Sequence, residues 1–498
     1  MRIPFPERIP IDRVAVFAVL LFIIQSLERT PLYFSAGCAA FLLIAALAFN
    51  AAGGLSRASG AYVFFYAVLV VVLGLCYKAL LGEPADSNLR DPQTTIEVYV
   101  GGIAAMLAAV VVSRRFARKS ALLQNVLKDS DMYRSCVGCI VFGIGGVFII
   151  SLLGASGNKL IAAFNQLNQL VPLSIIIGVM YEIRRSGGTR SFNFPVAFAM
   201  VYMFLVYGLF GFSKAGLLFP FLCWLLPVCA LRYRLSALQL GASLLGAFIM
   251  FQYLVPYTQY GRRFLAGNQT YSQRLDLTIR LLFHPETTRR LYKEAEEEGG
   301  ISIHYYNTAQ GFWDRLQFIA QDDALIDITD QGRVFGLSPI AESFLNAVPH
   351  FILPDKPVLN FGNTYAHELG GLPEDDTTTG ISFSPTSEAY HLAKWLGILV
   401  IAPLVWMLLF IVFDSLFGDL RTTPWGLLVL SAISHAAPEA GVTGAIYMVT
   451  YGTAIFTFSA FFAAWIAPSC AVVVLGRDRR KARRQLSFQP ALAPRTPN

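Results

Sequence analysis

The sequence predicts an all-α polytopic membrane protein of about twelve transmembrane helices, with one large, mostly helical extracytoplasmic loop between spans 9 and 10. Three observations predict it. Charged residues make up 14% of the 498 residues and hydrophobic residues 55%, whereas a soluble globular domain carries about 25% charge. Apolar runs of spanning length recur along the chain. The basic residues sort into alternate connections between those runs.

The runs lie near 12–28, 32–50, 61–81, 95–112, 135–154, 167–183, 194–212, 215–231 and 235–255, then at 395–414, 425–440 and 451–475. Arg2, Arg8 and Arg13 precede the first. No small-x-small cleavage site follows it, so it reads as an uncleaved span. His435, Pro438 and Glu439 interrupt the run at 425–440, which makes that pair of spans the least regular. The resulting organisation is a bundle over 1–255, a polar segment over 256–394, three further spans over 395–475 and a basic tail over 476–498.

Charge sets the expected orientation. With both termini cytoplasmic, the inside connections and tail hold twenty-three Lys and Arg. The short outside connections hold five, namely Arg29, Lys78, Arg90, Lys159 and Lys214. A bias of that size places the segment 256–394 on the extracytoplasmic side. Five of the six histidines fall in this segment, and His435 falls at the expected outer end of span 11.

Within the segment, helical spacing of Leu275, Ile279 and Leu282 predicts a helix over 262–298, stopped by Gly299-Gly300. A second helix is expected from Gly311 to about Leu325, and a third opens at Ser338-Pro339. Extended and turn chain is expected to Gly380. Ser384-Pro385 then caps a helix expected to continue into span 10.

Several chemistries are excluded or unsupported. None of the seven cysteines lies in 256–394, so that segment has no disulfide framework. Cys136 and Cys139 have redox spacing but sit in an apolar run without a βαβ context, and read as small core residues. The net charge of +7 comes from short runs beside spans, which argues against a nucleic-acid partner. No Walker loop, H-x-x-x-H pair, paired-cysteine zinc pattern or G-x-S-x-G is present, so no metal or cofactor is expected.

What remains is a set of cations, carboxylates and histidines on the outer face, which suits an anionic lipid-linked substrate. Arg262 and Arg263 leave span 9 at headgroup level, where they could clamp phosphate or simply anchor the helix. Asp314 and Arg315 form a pair among aromatics, either a structural ion pair or a substrate clamp. Glu388, His391 and Lys394 recur every third residue on one expected helix face, which suits proton abstraction and phosphate binding or a solvated helix start. Lys214 lies between two spans at the outer side, placed to snorkel or to meet a pyrophosphate. Asn165, Gln166, Asn168 and Gln169 form a polar stripe suited to sugar hydroxyls.

Pro349 through Pro357, with Pro354-Asp355-Lys356-Pro357 at its end, is followed by Gly362-Asn363, Thr378-Thr379-Gly380-Ile381-Ser382, Ser384-Pro385, Glu388-Ala389-Tyr390 and Gly397. Together these resemble the oligosaccharide repeat-unit polymerases, the O-antigen polymerase group. Gly211-Phe212-Ser213-Lys214 is similar to that group's Gly-Ser-Arg turn, with an insertion and Lys for Arg. The likeness covers about 50 residues closely and the topology loosely.

The resemblance implies a glycosyltransferase of the bacterial cytoplasmic membrane. It would polymerise polyprenyl-pyrophosphate-linked oligosaccharide into a surface polysaccharide, such as O-antigen or exopolysaccharide, with membrane lipid, a flippase and a chain-length regulator as partners. Lys214, Arg262, Arg263 and Arg315 are then the candidates for stabilising pyrophosphate, and Glu388, His391 or His367 for the base, Glu388 first. A lipid-linked-glycan flippase and an O-antigen ligase are the competing readings.

Overall fold

In the computed structural model, the described residues are 1–153, 164–262, 264, 271–299, 303–308, 310–311, 313–348, 353, 356, 359–372, 375–377 and 380–475. They form helices and turns without a β-strand; two isolated bridges join Arg2 to Arg234 and Phe383 to Ala440. Each of the twelve apolar runs is helical over most of its described length. Among the described residues, seven helices are long and apolar enough to cross a membrane. These include Leu32–Ala52, Ala58–Leu81, Pro92–Phe116 and Ala237–Arg262. Shorter apolar helices such as Lys214–Ala230 have 17 residues, about 25 Å of rise, slightly less than a hydrocarbon core.

The connections gather at two ends, in the grouping that alternate charge predicts. At one end Leu235 O accepts from the Met1 amino group at 2.8 Å, Ser56 O from Leu420 N at 2.9 Å, and Ser415 O from Leu122 N at 3.1 Å. At the other, Ala85 N donates to Gln25 Oε1 at 2.7 Å and Arg90 N to Asp323 Oδ2 at 2.6 Å. Buried aromatics including Trp406, Trp425, Tyr62 and Tyr66 fill the space between.

The long polar segment departs from the expected helices in three places. Two helices, Tyr271–Phe283 and Pro285–Gly299, replace the single one expected over 262–298. Pro285 has no amide hydrogen to continue the ladder and restarts the helix at its first position. The helix expected from Gly311 begins instead as a short 3₁₀ turn, Trp313–Arg315, before Ile319–Asp330. A further helix, Phe361–Glu368, stands in the stretch expected to be extended, where burial of Tyr365 and Ala366 drives it. The helix at Ser338–Asn346 forms where expected.

This segment also reaches into the bundle. A π turn at Ala67–Val72 interrupts the helix Ala58–Leu81, and the Val70 carbonyl there accepts from Phe318 N at 3.2 Å. Val70 lies about 16 Å along that helix from its end at Leu81. Ile319–Asp330 therefore packs among the spans, and its polar residues need internal partners.

The helix begun by Ser384-Pro385 does not run on into span 10. Ala393 (φ −157°, ψ 29°) and Lys394 (φ 48°, ψ −135°) break it, and a π turn over Gly397–Ile401 leads into Ala402–Phe417. Chain on either side of the break is pressed together: a Cβ on Gly397 would lie 1.7 Å from the Ala389 carbonyl oxygen, which only glycine allows. The arm before the break runs deep, with Tyr66 Oη and Thr386 Oγ1 2.9 Å apart. A second break separates Pro424–Glu439 from Gly441–Leu475, where Gly441 takes φ +66°.

Candidate functional site

The two helix breaks meet at Glu388. Its side chain is 2% exposed, and its Oε2 accepts from the Thr443 amide at 3.0 Å. Oε1 accepts from Thr443 Oγ1 at 2.8 Å and from Tyr365 Oη at 3.2 Å. Gly441 packs directly against the carboxylate; a Cβ there would lie 2.2 Å from Oε2. Burial, with the Glu388 charge beside it, holds the Tyr365 phenol well above its ordinary pKa, so it serves as a donor.

Glu388 stands in the wall of a cleft of about 330 Å³ between the long polar segment and the bundle. Asn346, Asn360, Phe361 and Tyr365 line it from the segment, and Glu439, Gly441, Thr443 and Tyr447 from the last two helices. Glu439 is paired with His435, Oε2 to Nδ1 at 3.2 Å, one helical turn apart. Lys214 lies within electrostatic reach of both.

Behind the cleft is a second polar cluster. His391 is fully buried and its Nε2 lies 2.9 Å from Glu368 Oε2. Its Nδ1 lies 2.9 Å from Thr329 Oγ1. The threonine hydroxyl donates to Leu325 O at 2.6 Å, so it accepts from His391 Nδ1–H. Nε2 then shares a proton with Glu368, whose carboxyl is raised by burial against a downward pull from Arg333. The Tyr365 ring stands edge-on to the His391 ring at 5.1 Å, between the two carboxylates.

A third cluster fastens Ile319–Asp330 to the spans. Asp322 accepts from Tyr99 Oη (2.7 Å), Ser384 N (2.9 Å) and Ser387 Oγ (2.6 Å). Asp323 accepts from the amides of Arg90 and Asp91 and from Thr95 Oγ1. Tyr390 Oη donates to Asp330 Oδ1 at 2.6 Å. These donors compensate the cost of burying the carboxylates.

The sequence candidates are thus separated. Of the expected catalytic residues, Glu388 lines the cleft, and His391 lies behind it. Lys394, past the break, is 3.7 Å from Asp330, so the three-residue face of Glu388, His391 and Lys394 does not form. All but Lys394 of that face is buried, which rules out a solvated helix start. His367 Nε2 is 2.8 Å from the Asp376 carbonyl and does not line the cleft. Arg315 closes the Trp313–Arg315 turn, and its side chain lies outside the described residues. Asp314 accepts from Gln310 N at 2.6 Å, in a region where Trp313 stacks on Tyr77 at 4.5 Å, away from the cleft lining.

Among the binding candidates, Lys214 opens Lys214–Ala230 within electrostatic reach of Glu439 but outside the cleft lining, and Arg262 ends Ala237–Arg262, exposed. Arg263 lies outside the described residues, as does the side chain of Asn165. Asn168 Oδ1 accepts from Tyr207 Oη at 3.5 Å. Most of Pro349 through Pro357 is also outside them; Lys356 donates to the carbonyls of Asn346 and Val348 at 2.7 and 2.6 Å and closes the end of Ser338–Asn346. Among the described residues no cluster of metal ligands is present.

Sequence reasoning passed over Tyr365, Glu368, Asp322, Asp323 and the His435–Glu439 pair. The last carried a usable signal, because ionisable residues inside an apolar helix point to function by default. No protein-family model, curated protein or solved structure matches this chain.

Proposed function

We propose that this protein polymerises polyprenyl-pyrophosphate-linked oligosaccharide repeat units by glycosyl transfer, with the cleft on the extracytoplasmic side of the bacterial cytoplasmic membrane. The observation that carries the reading is the cleft itself. It lies between the long polar segment and the membrane helices, its wall holds Glu388 and Glu439, and Lys214 lies within electrostatic reach of the second. A carboxylate can take the proton of an acceptor hydroxyl, and a lysine can receive the charge that develops on a departing pyrophosphate. A lipid-linked substrate also explains why such a site is joined to membrane helices rather than borne on a soluble domain.

The test is reconstitution. Purified protein in proteoliposomes, given a lipid-linked repeat unit, is expected to yield a ladder of lengthened chains. Unchanged single units would refute the reading. One feature favours a transporter instead: two discontinuous helices meet at a buried carboxylate, an arrangement common at the sites of secondary transporters. Movement of the labelled unit between leaflets without chain growth would select that alternative.

A further inference from the structure

We infer that Glu439, relayed to solvent through His435, is the catalytic base of the cleft, and that Glu388 is a positioning residue. This rests on the glycosyl-transfer reading above.

The two carboxylates of the cleft differ in what they can still accept. Glu388 already takes three protein donors and is met by the Val442 amide as well, about the four that a carboxylate can hold. Its Oε2 faces Gly441 so closely that a methyl group would not fit between them. A proton arriving there would have to displace a buried hydrogen bond. The side chain of Glu439, by contrast, is 36% exposed, and its hydrogen-bond partner among the described residues is His435. The His435 side chain is 73% exposed, so a proton passed to it can leave to water. Glu388, Tyr365 and Tyr447 are the other ionisable groups sharing the cleft lining with Glu439.

The step balances without a co-reactant. The acceptor hydroxyl oxygen attacks the anomeric carbon of the donor chain, forming the new C–O bond as its proton passes to Glu439. The bond from that carbon to the pyrophosphate oxygen breaks, and its electron pair departs with the lipid pyrophosphate towards Lys214. Glu439 passes the proton to His435 Nδ1, and a proton leaves from the exposed ring to solvent. Glu388 acts through Thr443: by holding the first turn after the break at Gly441, it fixes the direction of Glu439 two residues earlier.

The test uses full-length protein in proteoliposomes with a lipid-linked repeat unit. Glu439→Gln is expected to lower turnover by about 100-fold or more, with Glu439→Asp partly restoring it. Glu439→Gln is also expected to abolish the acidic limb of the pH–rate profile. Glu388→Gln is expected to lower the thermal midpoint and turnover but to keep the acidic limb of the pH–rate profile, whose loss in this variant would overturn the assignment. A water-soluble carbodiimide with an amine should modify Glu439 and spare Glu388, read by peptide mass, independently of activity. Glu439→Gln matching a polymerising wild type, or modification of Glu388 in preference to Glu439, overturns the assignment. A wild type that makes no polymer overturns the functional reading beneath it.

Discussion

Thr443 grips Glu388 from two sides, its amide on Oε2 at 3.0 Å and its hydroxyl on Oε1 at 2.8 Å, across 55 residues of sequence. That grip ties together two helix breaks, Ala393–Lys394 and Ala440–Gly441. Lys394 holds φ 48°, a conformation that costs a non-glycine residue about 1–3 kcal/mol, so surrounding contacts must over-determine it. Gly397 against Ala389 and Gly441 against Glu388 supply the close packing that does so.

Gly441→Ala is therefore expected to be destabilising. The left-handed φ of +66° alone costs alanine about 1–2 kcal/mol, and the new Cβ would meet Glu388 Oε2 at 2.2 Å. The thermal midpoint in detergent should fall by several degrees, and a midpoint equal to wild type would contradict the packing described.

Thr443→Val removes the hydroxyl and keeps the shape. Glu388 loses one of its side-chain donors, at about 1.5–3 kcal/mol for a hydrogen bond to a charged group. Thr443→Ser should recover most of that loss. Equal unfolding midpoints for the valine and serine variants would show that the hydroxyl contributes nothing.

The spans were legible because a bilayer sets their length and composition, so runs such as 61–81 and 95–112 announce themselves. The two groups of connections were legible through charge. The breaks were not. Nothing in the spacing around Lys394 departs from a helix, and the break follows from packing of Gly397 on Ala389, a tertiary contact. The same break took Lys394 off the face expected to hold Glu388 and His391. Glu388 was found through its resemblance to a family position, whereas its burial came from Tyr365 and Thr443, which sequence distance hides. Asp322 and Asp323 drew no attention in the sequence, because their importance follows from the depth of Ile319–Asp330 in the bundle. His435 and Glu439 were visible as charges in an apolar run, but were read as an interruption of the span.

Asp323 carries a pH prediction. Burial pushes its carboxyl up to about 6, against the pull of the Arg90 and Asp91 amides and the Thr95 hydroxyl. Its unfolded value is about 4, so between about pH 4 and 6 the folded chain binds the extra proton. Stability from this group is then present at low pH, falls as pH rises through that window, and levels off above it. The slope is at most about 1.4 kcal/mol per pH unit. Asp323→Asn removes the titration, so the gap between wild-type and variant thermal midpoints should shift with pH between 4 and 6 and stay constant above. Parallel curves throughout would remove Asp323 as the cause.

The side of the membrane on which the cleft opens can be tested with two engineered cysteines. His304, exposed in the long segment, belongs to the end that holds Arg90 and Asp323. Thr189, also exposed, lies beyond Leu170–Arg185, whose Arg184 pairs with Asp129 at the opposite end. Of the seven native cysteines, all free, Cys76 and Cys470 are half-buried and the other five buried, so a cysteine-free background keeps the signal clean. The excess of Lys and Arg around Thr189 should hold that end in the cytoplasm, since moving clustered cations across the bilayer is costly. A membrane-impermeant maleimide should then label His304→Cys in intact cells and reach Thr189→Cys only after permeabilisation. The reverse pattern would put the cleft on the cytoplasmic side, where a polymerase of exported glycan has no acceptor.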